Sequence, residues 1–199
     1  MNENINKRNA LLAQTVIKGL ESRNMSGYFA ATKEEACQKA LELIGEGSSV
    51  TMGGCMSAQE IGLVDALEKG NYEFRGRENV YESDVFLSSS NAVTNDGILV
   101  NIDGNSNRVS AIAHGPKKVV MIVGMNKVAG DLDAALKRAR NVAAPINAQR
   151  FDLSTPCAKT GACMDCKSPD TICCQFLITR YSRHADRIHV ILVDDNLGF

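Results

Sequence analysis

The chain has 199 residues, a net charge of −1 and only 5% aromatic residues with no Trp. That length fits one domain, or one domain with a small appendage, able to bury a core without disulfides. The balanced charge and scarce aromatics exclude a dedicated nucleic-acid binder, which carries a basic excess and stacking platforms.

The N-terminal segment has no uninterrupted apolar stretch and no small-residue cleavage site, so no secretory signal is read there. The longest strongly apolar run, Val119 to Met125, is far short of a membrane span. A cytoplasmic protein is expected, and thiols in a reducing compartment point to metal binding or redox chemistry rather than to disulfides.

In chain order, Ala13, Val16, Ile17 and Leu20 recur at helical spacing, and Tyr28-Phe29-Ala30 suits a brief strand. Thr32 to Glu35 has the form of a capping box and opens a helix through Ala36, Ala40, Leu41 and Ile44. Ser49 to Met52 reads as a buried strand ending at Gly53-Gly54. A second capping box, Ser57 to Glu60, then opens a helix with Ile61, Val64 and Leu67 inward. The pattern recurs at Val119 to Val123, followed by a helix from about Asp131 with Leu132, Ala135, Leu136, Ala139, Val142 and Ala143 on one face. Strands alternating with amphipathic helices predict a three-layer α/β domain over 1–199, its sheet mainly parallel and flanked by helices.

Two regions break the alternation. Residues 84–114 read as strands joined by polar turns, with Asn95-Asp96-Gly97 a strong turn signal. Residues 154–174 carry five of the seven cysteines and read as a loop. Two strands, Gln175 to Thr179 and Ile188 to Val193, close the chain.

In the loop, Cys157, Cys163, Cys166 and Cys173 form a C-x5-C-x2-C-x6-C array, with Cys174 adjoining. A C-x2-C pair aims two thiolates at one metal without straining the backbone, and four can enclose a tetrahedral zinc or an iron–sulfur cubane. The uneven single group and nearby prolines favour a [4Fe–4S] cluster, with zinc as the alternative. A loop of reduced thiols or a disulfide pair is the blander reading.

Four polar groups follow strands: Gly53-Gly54 with Ser57; Asn91 with Thr94 and Gly97; Asn105 with Arg108; and Asn126 with Lys127. In an open α/β sheet, ligands gather at the carboxyl ends of the strands, so these groups could share one mouth. Arg108 and Lys127 would meet a carboxylate or phosphate there. Glu60 and Asp96 are the acidic candidates should the site be catalytic. His114 and His189, within apolar runs, are expected to pack, and His184 to be solvated.

The runs GGCMSAQEIGL (53–63), SSSNAVTNDGILVNIDGNSNRV (88–109), GPKKVVMIVGMNKV (115–128), RNVAAPINAQR (140–150) and RIHVILVDDNLGF (187–199) resemble the lactate-utilization, or LUD-domain, family, and the cysteine loop resembles its cysteine-bearing branch. The resemblance implies a fold similar to sugar-phosphate isomerases and CoA transferases. It also implies a link to bacterial oxidation of lactate or a similar 2-hydroxy acid alongside iron–sulfur partner proteins. The expectation is thus a cluster-bearing component of an oxidoreductase system whose pocket takes a small anionic metabolite, with homo-oligomerisation left open. The alternative is a zinc-stabilised, non-redox protein that senses a phosphorylated or CoA-like metabolite.

Overall fold

The computed structural model describes residues 3–199. Helix α1 (Glu3–Ser22) leads into β1 (Ser26–Ala30), α2 (Lys33–Ile44), β2 (Ser49–Met52), α3 (Met56–Glu60), α4 (Leu63–Lys69) and β3 (Glu73–Arg75). After a 3-10 turn over Arg77–Glu82 come β4 (Val85–Ser88), β5 (Ala92–Thr94), β6 (Leu99–Asp103), α5 (Asn107–His114), β7 (Lys118–Gly124) and β8 (Val128–Ala129). Helix α6 (Leu132–Arg138), a π-turn (Ala139–Ala143), α7 (Ala144–Ala148), α8 (Pro156–Thr160), β9 (Gln175–Thr179) and β10 (Ile188–Val193) complete the chain.

Six strands form the main sheet in the order β1-β10-β7-β4-β2-β3, and every pairing within it is parallel. Such a sheet is covered on both faces, so its central strands are buried almost throughout and mostly apolar. Along β7, Val120 and Ile122 pack with Ala36, Ala40, Leu63 and Leu67 of α2 and α4. Val119, Met121 and Val123 pack on the other face with Ala13, Val16 and Leu20 of α1 and with Ala111 and Ile112 of α5. The result is the three-layer α/β architecture expected from the alternation of strands and helices.

A second sheet, ordered β8-β5-β6-β9, lies beside it. Its antiparallel pairs β5–β6 and β6–β9 carry the polar segments that broke the alternation, and α6 and the π-turn after it pack on it through Ala135 and Ala139.

Several local expectations need correction. Residues 107–114 are a helix, not a turn between strands. The Asp103 carboxylate caps it, accepting from the backbone N–H of Arg108 at 2.9 Å and Val109 at 3.1 Å. Ser57 does not cap a helix: it lies inside α3, whose N-cap is Cys55, and the chain breaks at the left-handed Gly62 before α4. Val142 is 43% exposed, because the extra residue of the π-turn rotates the apolar face and puts Ala143 and Ala144 inward instead. His114 is exposed rather than packed. The Thr32 cap does form, its side chain accepting from Glu35 N at 3.2 Å while the Glu35 carboxylate accepts from Ala31 N. Among the described residues, no helix is long and apolar enough to cross a membrane.

Candidate functional site

Because the strands of the main sheet are parallel, the segments that follow β2, β4, β7 and β10 all emerge at one end. A cavity of about 320 Å³ opens there. Gly54 to Met56 line it from β2, Ser89 to Asn91 from β4, Lys127 from β7, and Gly198 and Phe199 from β10. The β6–α5 loop contributes Asp103 to Asn105, Asn107 and Arg108.

Lys127 is 3% exposed. Its ammonium donates to Ser57 Oγ at 3.1 Å and Ser89 Oγ at 3.0 Å, and burial pulls its pKa down to about 8. Among the described residues, no carboxylate forms an ion pair with it. Arg108 reaches across from α5. Its Nη1 donates to Asn101 Oδ1 (2.6 Å) and Ser89 O (3.2 Å), and its Nη2 to Ile102 O (2.7 Å) and Asn91 Oδ1 (3.0 Å). Every acceptor is neutral, so the guanidinium is hydrogen-bonded without a direct carboxylate partner. Burial lowers the Arg108 pKa, partly offset by Asp103.

Gly53 has a different role from the one its sequence context suggests. Its N–H donates to Leu87 O at 3.1 Å and is not free for a ligand. A Cβ there would sit 3.0 Å from Arg108 Cγ and 3.1 Å from Phe86 Cζ, so the glycine clears the path of the arginine. Gly54 is the member of the pair that lines the cavity.

The remaining predicted residues divide. Asn91, Asn105, Arg108 and Lys127 line the cavity, and Ser57 lies behind it, bonded to Lys127. Thr94, Asp96 and Gly97 do not. The β5–β6 hairpin carries them away from the cavity and returns only at Asp103. There Asp96 pairs with Arg23 and accepts from Thr94 Oγ1, and Gly97 (φ +84°) packs against the backbone of Gly19 and Leu20. Asn126 accepts from Leu197 N at 3.2 Å and Glu60 from Gly198 N at 2.8 Å, so both hold the 197–198 segment in place. Three lining residues gave no usable signal in the sequence: Arg77 from the 3-10 turn, and Arg150 and Phe199. Arg150 follows α7 and stands over the rings of Phe151 and Phe199.

The cysteine loop adjoins this cavity. Cys157, Cys163, Cys166 and Cys173 all line a smaller hollow of about 50 Å³, together with Ala144 and Pro145 of α7. Cys157 lies on α8, with Thr155 Oγ1 3.4 Å from its sulfur, and Arg140 Nη2 lies 4.0 Å from Cys163 Sγ. The Cys173 thiol is pushed up to about 11 by burial and then by the neighbouring Cys163, Cys157 and Cys166. All seven cysteines are free thiols. Among the described residues, no three His, Cys, Asp or Glu side chains are gathered tightly enough to hold one metal ion as they stand. Around a single zinc the sulfurs would lie roughly 3.8 Å apart. The four thiols share one hollow without being gathered into a metal-binding set as they stand.

Ile172 lines both cavities. The next turn of chain is tied to the larger one, with Cys174 N donating to Asp103 O at 2.9 Å. Gly104 permits the approach, since a Cβ there would lie 3.1 Å from Ile172 Cα.

Fold and site together define an α/β protein with a cationic pocket at the carboxyl ends of a parallel sheet and a thiol-lined hollow against it. The LUD-domain family model matches residues 13–193. The chain belongs to that family, which is associated with lactate utilization. A solved structure, a DUF162 family protein from Deinococcus radiodurans determined at 1.70 Å, is similar with a TM-score of 0.55. It is 11% identical, the match covering 93% of this chain and 98% of that one, and the likeness extends to the fold. No curated protein matches the sequence.

Proposed function

We propose that this chain is an electron-transferring component of an oxidoreductase system for lactate or a similar small 2-hydroxy acid. The observation that carries the reading is the common wall at Ile172 between the cationic pocket and the thiol hollow. Lys127 binds the carboxylate of the acid with the charge of Arg108 behind it, and the Ser57 and Ser89 hydroxyls hold the ammonium in position. Cys157, Cys163, Cys166 and Cys173 would hold a [4Fe–4S] cluster, which supplies one-electron transfer when bound. The uneven C-x5-C-x2-C-x6-C spacing favours a cluster over the zinc alternative. Arg140, ion-paired with Asp165, lies beside Cys163, and α7 and Ile172 screen the hollow from the anion pocket. Iron–sulfur partner proteins would take the electrons onward.

The test is electron paramagnetic resonance of anaerobically reconstituted, reduced protein, titrated with L-lactate and D-lactate. Ligand in a pocket one residue from the cluster is expected to shift its spectrum, and Arg108→Ala to abolish the shift. A cluster spectrum indifferent to every small hydroxy acid would refute the functional link between the two cavities.

A further inference from the structure

The pocket carries more positive charge than a monocarboxylate can neutralise. Arg77, Arg108, Lys127 and Arg150 all line it, against one side-chain carboxylate, that of Asp103. That carboxylate is occupied by the backbone N–H groups of Asn105, Arg108 and Val109. Among the described residues, none of the four cations forms an ion pair; the pairs of this chain lie elsewhere.

The cations are also spread in depth. Lys127 is buried and Arg108 largely so, and both contact Ser89, Arg108 through its carbonyl and Lys127 through its hydroxyl. Arg77 and Arg150 are exposed. Arg150 is nevertheless steadied by a 3.1 Å bond from Nη1 to Asn147 Oδ1 and by two aromatic rings. A cavity of about 320 Å³ also exceeds what a three-carbon acid fills.

From the two depths of unpaired charge, we infer that the ligand is a 2-hydroxy acid bearing a second, phosphoryl-type anionic group. Its carboxylate is bound at Lys127, backed by the charge of Arg108, and its phosphoryl group at Arg77 and Arg150. Guanidinium forks suit phosphoryl oxygens, and their placement at the mouth lets a doubly charged group stay partly hydrated. The inference rests on the reading of this pocket as a hydroxy-acid site and specifies its substrate class.

The two are separated by calorimetric titration of the full chain with glycerate and with 3-phosphoglycerate, which differ only in the phosphoryl group. At physiological salt, 3-phosphoglycerate is expected to bind about 100-fold tighter. Arg77→Ala with Arg150→Ala should cut that ratio below about tenfold and leave glycerate affinity within about twofold, because both side chains are exposed and the fold does not need them. Lys127→Met should remove both ligands. Equal affinities for the two acids would overturn the inference while leaving the hydroxy-acid reading intact. Failure of both acids to bind folded protein would overturn both.

Discussion

Replacing Lys127 by Met separates a ligand-binding lysine from a structural one. An ammonium that titrates at about 8 instead of the ordinary 10.5 costs the folded state about 3 kcal/mol at pH 7. Methionine removes that cost, but leaves the Ser57 and Ser89 hydroxyls without their donor, at about 1 kcal/mol each. The variant should therefore be more stable by about 1 kcal/mol at pH 7, a rise in Tm of about 2–4 °C for a chain of this size. The sign of the pH dependence follows from the depressed pKa. Between pH 8 and 10.5 the unfolded chain keeps the lysine proton and the native chain has lost it, so wild-type stability climbs through that window. The advantage of Lys127→Met should fade over the same range in urea denaturation series. A variant less stable than wild type at pH 7, or a difference that does not change with pH, would refute the claim that a buried, unpaired charge is retained there at the expense of stability.

The same titration predicts that glycerate affinity weakens above pH 8, by about tenfold at pH 9, as the ammonium is lost; a flat calorimetric profile to pH 9 would contradict it. Asp96→Asn should leave ligand affinity unchanged, because Asp96 faces Arg23 and not the pocket. Gly97→Ala, by contrast, should destabilise by about 3 kcal/mol or more in urea titration, since its Cβ would fall 2.3 Å from Leu20 N at a φ of +84°. Cys163→Ala should abolish metal uptake by anaerobic reconstitution while keeping the far-ultraviolet circular dichroism of the wild type, and full metal content in the variant would show the wrong ligands were chosen.

The main sheet was legible because central parallel strands are almost wholly apolar, as Val119 to Val123 and, His189 apart, Ile188 to Val193 are, and because the intervening helices show their period. Lys127 was legible as a pocket residue for the related reason that parallel strands deliver their following loops to one end, whereas Arg108 follows β6 of the second sheet and reaches the same mouth from α5. Thr94, Asp96 and Gly97 also follow a strand, but β5 turns back in an antiparallel hairpin, and direction within a second sheet is a tertiary fact absent from local spacing. Ser57 and Glu60 carry the spacing of a capping box, yet Ser57 bonds to Lys127 and Glu60 to Gly198 N, partners 70 and 138 residues distant. Helix α5 was hidden because its buried face is short, Val109, Ala111 and Ile112, and its cap comes from Asp103, outside the usual position. Arg77 and Arg150 lie in segments with no period at all, and only packing brings them to the mouth.

The most direct test of the account is an iron and acid-labile sulfide determination on protein purified without oxygen. Cys157, Cys163, Cys166 and Cys173 facing one hollow lead to iron and sulfide in equal amounts, at about four of each per chain, with a brown colour that bleaches on reduction. Colourless protein carrying one zinc, or no metal after reconstitution with iron and sulfide, would contradict it.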